Sequence, residues 1–206
     1  MLSQFLEERY EPGEPIILQD VIDSGLNYDN VCQQMRNLVA SGKINRFMEG
    51  VYYIPKKDQK FFFPGLSSDA VAIAKYISRN GKTFGCYSGY SLANYLGLSN
   101  QVPFVKEIST NNSSAITRTV TIGKFSYKLR RAPVIITEEN RFAVMLLEVL
   151  KDLDAYCDPE INAKDKLMEF IRKNHVAKKV VDELIDKYPL RTYKAIYDME
   201  LINVLA

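Results

Sequence analysis

The chain has 206 residues, of which 47% are hydrophobic and 25% are charged. This length and composition allow one large domain or two small ones with a sizeable buried core, and they exclude a globally disordered chain. The formal net charge is only +2, so the overall charge does not by itself indicate a nucleic-acid partner. No apolar run approaches the roughly 20 residues that a membrane-spanning helix needs, which predicts a protein with no membrane partner.

Two features of the sequence indicate the cellular compartment of the protein: its cysteines and its first residues. Cys32, Cys86 and Cys157 are odd in number and far apart, so they fit neither a disulfide framework nor a zinc site. The chain does not start with the basic and then apolar segments of a secretory signal. We therefore expect reduced, mostly buried thiols in a cytoplasmic protein.

The first 55 residues are predicted to form three helices followed by a β-hairpin. Apolar residues at helical spacing predict helices over Leu2–Tyr10, over Ile16–Ser24 and from about residue 28 onward. In the third helix Asn27 is the expected N-cap, and Ser41-Gly42 is expected to end it. Lys43–Phe47 and Val51–Pro55 are rich in β-branched and aromatic residues and are separated by a link containing glycine, which predicts a hairpin. This order of elements is typical of a winged helix-turn-helix.

The charge changes sign within this segment. Residues 1–29 hold one basic side chain against seven acidic ones, a net charge of −6, whereas residues 30–60 hold six basic side chains against two acidic ones, a net charge of +4. A chain that changes sign so sharply can place its positive charge on one surface.

The third helix is the predicted recognition helix for double-stranded DNA. Val31, Met35, Leu38 and Val39 recur at the spacing of one buried face. The opposite face is rich in amides and arginine, groups that pair with adenine and guanine in the major groove. The candidate base-reading residues are Tyr28, Asn30, Gln33, Gln34, Arg36 and Asn37. The candidate phosphate contacts on and beside the hairpin are Lys43, Arg46, Lys56 and Lys57.

Residues 59–206 are predicted to form a second, mixed domain. Helices are expected over Ser68–Arg79 and Ser88–Leu96, and strands over Phe104–Thr110 and Thr117–Arg131, the latter folded at Gly123-Lys124. From about Thr137 the chain reads as a helical tail, with Asp158 as the N-cap of a helix that begins at Pro159. The expected fold class is α+β, with a winged helix-turn-helix over 1–58 and a mixed α/β domain over 59–206.

Several stretches resemble the AbiEi-type antitoxins of type IV toxin–antitoxin systems. The winged-helix part of the resemblance lies in 14–16, 38–44 and 50–55 and is generic. The more specific part is Tyr87-Ser88-Gly89-Tyr90-Ser91-Leu92-Ala93-Asn94-Tyr95-Leu96-Gly97-Leu98 with Gln101-Val102-Pro103, followed later by Lys128-Leu129-Arg130-Arg131-Ala132. The resemblance covers roughly residues 10–135. It implies a repressor that binds inverted repeats in its own operon and counteracts a nucleotidyltransferase toxin, often without a stable complex.

Nothing in the sequence favours catalysis. His175 is the one histidine, and no serine, cysteine or aspartate motif accompanies it. A phosphate-binding loop and a dinucleotide-binding glycine motif are both missing, so no cofactor, no metal and no catalytic residue is expected. A second basic group can extend a DNA contact, face a toxin or a nucleic acid that the toxin modifies, or be a plain strand surface. Its members are Arg118, Lys124, Lys128, Arg130 and Arg131.

Two alternatives to a DNA-binding repressor stay open at this point. A winged helix used only to bind proteins would present its acidic first helices as the contact surface. A cryptic nuclease in the second domain would need matched carboxylates, and the sequence offers none to nominate.

Overall fold

The computed structural model of the chain describes residues 2–56 and 65–206, and it confirms the α+β class. By compactness these residues fall into two units. The first runs to Lys75 and also includes Ile122–Phe125, and the second comprises Tyr76–Thr121 and Ser126–Ala206. The boundary predicted at residues 58 and 59 lies outside the described residues.

The first unit combines helices with a small sheet. Its helices are α1 (Leu2–Arg9), α2 (Leu18–Ile22), α3 (Tyr28–Ala40) and α4 (Ser68–Tyr76), and its strands are β1 (Ile16–Ile17), β2 (Asn45–Met48) and β3 (Val51–Tyr53). The strands form an antiparallel sheet in the order β1-β3-β2. Leu6, Ile16, Val21 and Met35 are almost fully buried in the core beneath it. Hydrophobic burial on this scale holds α1, α2 and α3 together.

The predicted helix over Ile16–Ser24 is wrong at its beginning. Ile16 and Ile17 form β1 and pair with Tyr52 and Val51 of β3. β-Branched residues suit a half-buried pleated surface, and here the sheet supplies them with backbone partners that a helix start lacks. The helix itself is reduced to α2, Leu18–Ile22.

The second unit contains a two-stranded and a four-stranded sheet. The two-stranded sheet consists of β4 (Ser78–Arg79) and β5 (Lys82–Thr83). The strands of the larger sheet are β6 (Gly85–Ser88), β7 (Lys106–Thr110), β8 (Thr117–Ile122) and β9 (Phe125–Arg131). β6, β7, β9 and β8 form the larger sheet in that order, with β6–β7 antiparallel and β7–β9 parallel. The strands expected at 104–110 and on both sides of Gly123-Lys124 are thereby confirmed.

Helices complete this unit. They are α5 (Gly89–Tyr95), α6 (Arg141–Leu150), α7 (Leu153–Tyr156), α8 (Ala163–Lys173), α9 (Lys178–Leu184) and α10 (Leu190–Asp198). Every residue of α6 from Ala143 to Leu150 is buried, so this helix forms the middle of the core. The helices predicted after residue 137 are confirmed, and their apolar residues are part of this core.

After residue 68, the predicted end of the first helix and the predicted cap at Asp158 are wrong, and one strand was not predicted. The helix from Ser68 ends at Tyr76 because Ser78–Arg79 pairs with Lys82–Thr83 in a two-stranded hairpin. The stretch before α5 is strand β6, which the sequence pattern did not reveal. Asp158 does not cap a helix, since its carboxylate accepts hydrogen bonds from the Ser99 hydroxyl at 2.8 Å and the Asn100 amide at 2.7 Å.

The helix expected at Pro159 begins instead at Ala163. Its N-cap is Asn162, whose side-chain oxygen accepts a hydrogen bond from the Asp165 amide. Asparagine is among the strongest N-cap residues, and the carboxylate of Asp158 is already used by the loop around Ser99.

Candidate nucleic-acid interface

Helix α3 presents the predicted polar face to solvent. Tyr28, Asn30, Gln33, Arg36 and Asn37 are all exposed. Gln34 is half-buried, and its amide donates a 2.6 Å hydrogen bond to the side-chain oxygen of Asn30. Five of the six candidate base-reading side chains therefore lie on the surface, and the sixth orients one of them.

The buried face fixes this helix in the first unit. Val31 is 2% exposed and Met35 is fully buried, and both lie in the core that also holds Leu6, Ile16 and Tyr52. A helix held by apolar contacts on one side keeps its other side in a defined orientation. The exposed amides and arginine are thus carried by a well-anchored element rather than a loop.

Both ends of α3 are closed by local hydrogen bonds. The side chain of Asn27 accepts a hydrogen bond from the Asn30 amide at 3.2 Å, as expected for an N-cap. At the other end the amide of Gly42 donates to Val39 and that of Lys43 donates to Leu38, which is a Schellman motif. Lys43 therefore leaves the helix at a fixed place beside its C-terminus.

Tyr28 begins the exposed face, with 59% of its surface accessible. A hydrogen bond with Cys32 raises the pKa of Tyr28 above its ordinary value. A tyrosine phenol is protonated at neutral pH and can donate a hydrogen bond to a phosphate or a base edge.

The hairpin that follows is short and has an acidic tip. β2 and β3 are joined through Glu49 and Gly50, and Glu49 is exposed. Lys43 and Arg46 are exposed as well, so the positive charge lies beside α3 and along the edge strand β2 rather than at the tip. Phosphate contacts would accordingly come from the base of the hairpin.

The remaining two basic candidates differ. Lys56 is exposed, and its alkyl chain lies directly over Gly13, where an added Cβ would meet Lys56 Cε at 2.7 Å. The backbone amide of Gly13 donates to the Ile54 carbonyl at 2.9 Å, so Lys56 sits over the turn between α1 and β1. Lys57 lies outside the described residues.

Sequence reasoning missed two exposed side chains on this surface. Asp29 in the first turn of α3 is exposed, so the polar face carries a carboxylate that can accept from cytosine and that suits the positive end of a helix. Asn45 on β2 is also exposed and donates to the Tyr53 hydroxyl at 3.2 Å. The position of Asp29 in the first turn of α3 could have indicated its exposure. For Asn45, the available signal was the alternation of side chains along a strand.

The second basic group is largely engaged within the protein. Arg130 donates to Glu107 from Nε and from a terminal nitrogen, both at 2.9 Å, and Lys128 lies 3.6 Å from the same carboxylate. Arg131 donates to the carbonyls of Ser113 and Ser114. Arg118 and Lys124 are exposed. The five residues thus do not form one uniform cationic surface.

The motif from Ser88 to Ser91 begins α5 and contacts β7. The hydroxyl of Ser91 accepts a hydrogen bond from the Glu107 amide at 2.9 Å. Gly89 has a φ of +55°, and an added Cβ would lie 3.0 Å from the Glu107 carboxyl carbon. Ser91 and Gly89 thus join helix to sheet beside an ion-paired carboxylate.

His175 has a local structural role. Its φ is +49°, and the amides of His175 and Val176 donate to the Arg172 and Ile171 carbonyls, which closes the end of α8 as a Schellman motif. Within residues 2–56 and 65–206, no cluster of three or more His, Cys, Asp or Glu side chains has the spacing of a metal site. In the same ranges, no helix has the length and apolar character to cross a bilayer.

Comparison with known proteins places most of this chain in one family. Residues 7–180 match DUF6088, which is described as a family of unknown function. No curated protein matches the sequence. The chain belongs to the DUF6088 family.

Proposed function

We propose that the first unit is a winged helix-turn-helix that binds double-stranded DNA with α3 in the major groove. The observation that carries the proposal is the exposed face of α3. Its Asn30, Gln33, Arg36 and Asn37 side chains reach solvent while Val31 and Met35 anchor the helix from behind. Amides and guanidinium groups in this arrangement are the side chains that recognise adenine and guanine.

The electrostatics of the unit support the same proposal. Lys43 lies three residues after the end of α3, and Arg46 lies on the edge strand β2 that follows, so both cations come directly after the base-reading helix in the chain. The acidic side chains are concentrated in residues 1–29, before and at the start of α3. A phosphate backbone would be drawn to the basic side and repelled from the acidic one.

The resemblance to AbiEi-type antitoxins extends the proposal to biological context. We infer a cytoplasmic repressor of its own operon that recognises inverted repeats and counteracts a nucleotidyltransferase toxin. The residues that carry this part are 87–98, 101–103 and 128–132, all in the second unit. The DNA-binding part rests on α3 and can be tested without it.

The test is selection of binding sites from a random duplex library with the full chain, followed by gel-shift titrations of variants. Gln33→Ala and Arg36→Ala should weaken binding to the selected duplex by roughly 5- to 150-fold and random duplex much less, since base contacts carry specificity. Lys43→Ala should weaken both duplexes by a similar factor. Arg9→Ala on α1 is the matched control, because it removes one positive charge from a helix that the proposal does not place in the groove.

Two results would overturn the proposal. One is selection of no preferred sequence, combined with equal losses for Gln33→Ala, Arg36→Ala and Arg9→Ala. The other is binding that does not weaken as salt is raised, because phosphate contacts release counterions and must produce a steep salt dependence. Either result would favour a winged helix that binds proteins through the acidic α1 and α2.

A further inference from the structure

The second unit contains an open cleft of about 530 Å³. It lies between the hairpin of β4 and β5, strand β6, the end of α5, the start of α6 and one face of α8. Its volume falls within the range of roughly 300–1,000 Å³ in which small molecules bind. The residues that line it were not among the predicted site residues.

The charged residues of this cleft are mainly cationic. Lys166 and Lys173 lie on α8 at positions i and i+7, which places them about 10 Å apart on one face. Arg141, at the start of α6, is the third cation, and Glu169 is the one lining carboxylate among the described residues. Lys166 and Lys173 make no ion pair with another described residue, so their charge is available to an anion.

Arg141 is held in position from two sides. Its guanidinium lies 4.4 Å from the centre of the Phe142 ring and bonds to Glu138 at 2.9 Å. A cation–π contact and an ion pair together restrict its rotamers. The Arg141 side chain as a whole is 36% exposed and lines the cleft, although its Nε is buried.

Aromatic rings supply the rest of the lining. Phe142 and Phe170 pack edge to face with centroids 6.0 Å apart. Tyr95 is 62% exposed, and its ring centroid lies 6.0 Å from that of Tyr87. An exposed tyrosine at the edge of a cationic cleft is a surface on which a planar base can stack.

We propose that this cleft binds a nucleoside triphosphate. The base would stack on Tyr95, and the phosphates would lie among Lys166, Lys173 and Arg141. Glu169 would accept a hydrogen bond from a ribose hydroxyl or a base amino group. Two lysines without an ion pair among the described residues, an arginine that shares its charge with Glu138, stacking aromatic rings and one lining carboxylate together match the three chemical parts of a nucleotide. This inference is independent of DNA binding by α3, because every lining residue lies in the second unit.

The experiment is isothermal titration calorimetry of the full chain with ATP, GTP, CTP and UTP, and with adenosine and inorganic triphosphate as partial ligands. We expect at least one nucleotide to bind more tightly than about 1 mM, and both partial ligands to bind at least roughly tenfold more weakly. Binding of inorganic triphosphate as tight as that of every nucleotide would overturn the proposal, because the base would then contribute nothing.

Variants locate the site. Lys166→Gln and Lys173→Gln should each weaken nucleotide binding by about fivefold, the upper range for an exposed ion pair. Arg172→Gln, on the same helix but outside the cleft, should change it by less than about twofold. Tyr95→Ala should weaken nucleotide binding by roughly tenfold and leave inorganic triphosphate unaffected. These side chains are exposed, so the variants should fold, and circular dichroism verifies it.

Three results would overturn the assignment. The first is the absence of binding by all four nucleotides up to about 1 mM. The second is a loss for Arg172→Gln equal to that for the two cleft lysines, which would mean that overall charge alone decides binding. The third is unchanged nucleotide affinity in Tyr95→Ala.

Discussion

Gly89 and Gly97 form a matched pair in which the same substitution should have different costs. Both have a positive φ, +55° and +70°, so alanine at either position pays a left-handed backbone penalty of about 1–2 kcal/mol. At Gly97 the nearest atom to an added Cβ is Lys166 Cε at 3.9 Å, which is ordinary contact. Gly97→Ala should therefore lower the free energy of unfolding by about 1–2 kcal/mol.

At Gly89 the added Cβ meets the Glu107 carboxyl group at 3.0–3.3 Å. That carboxylate cannot move freely, because Arg130 holds it with two 2.9 Å bonds and its side chain is only 15% exposed. Displacing it weakens charge-assisted bonds worth about 1.5–3 kcal/mol, which we reduce to about 1–2 kcal/mol because Arg130 and Lys128 are each 36% exposed. Gly89→Ala should therefore cost about 2–4 kcal/mol in total.

Urea unfolding followed by circular dichroism measures both losses. In a Glu107→Ala background the crowding is absent, so Gly89→Ala should cost no more than Gly97→Ala does in the natural chain. Equal losses for the two glycine variants in the natural chain would refute the reasoning, since they would mean that Glu107 adjusts to the new methyl group at no cost.

Three further predictions concern the free energy of unfolding and its dependence on His175, Cys86 and Met35. His175→Gly should raise the free energy of unfolding by about 1 kcal/mol in urea titration, because His175 has a φ of +49° at the end of α8; a loss would show that the imidazole makes a stabilising contact. Burial raises the pKa of Cys86 far above the value of about 8.5 for a free thiol, so the folded state holds its proton longer, and stability should fall as pH rises from about 8.5 to 10. Cys86→Ala should flatten that slope, and an unchanged slope would exclude this thiol as its cause. Met35→Ala should cost about 2–5 kcal/mol in urea and reduce DNA binding in gel shifts, and full stability would mean that α3 does not depend on its buried face.

Local signals in the sequence were sufficient for α3. Its apolar spacing, its N-cap at Asn27 and its terminal Gly42 act within a few residues, and the structure has each of them where the pattern indicated. Exposure of Gln33 and Arg36 followed directly, because a helix that buries Val31 and Met35 has to turn the opposite side chains outward. The predicted polar face was therefore a consequence of periodicity alone.

Local sequence patterns could not predict which distant segments pair as strands. Ile16 and Ile17 have the apolar character of a helix start, and only β3 about 35 residues later makes them a strand. Strand β6 was hidden for the same reason, since its partner β7 lies beyond α5. Asp158 was expected to cap a helix, and the loop at Ser99 takes its carboxylate instead.

The sequence by itself determined the presence of most helices, the α+β class and the side of α3 that faces solvent, because these depend on contacts between neighbours in the chain. Tertiary structure alone decided which charges are available. Arg130 and Lys128 are held by Glu107, whereas Lys166 and Lys173 line a cleft with aromatic rings and make no ion pair with another described residue. The physical reason is that hydrogen bonds and close ion pairs need their atoms within about 4 Å, so the partners of a side chain are set by proximity in the fold and not by order along the chain.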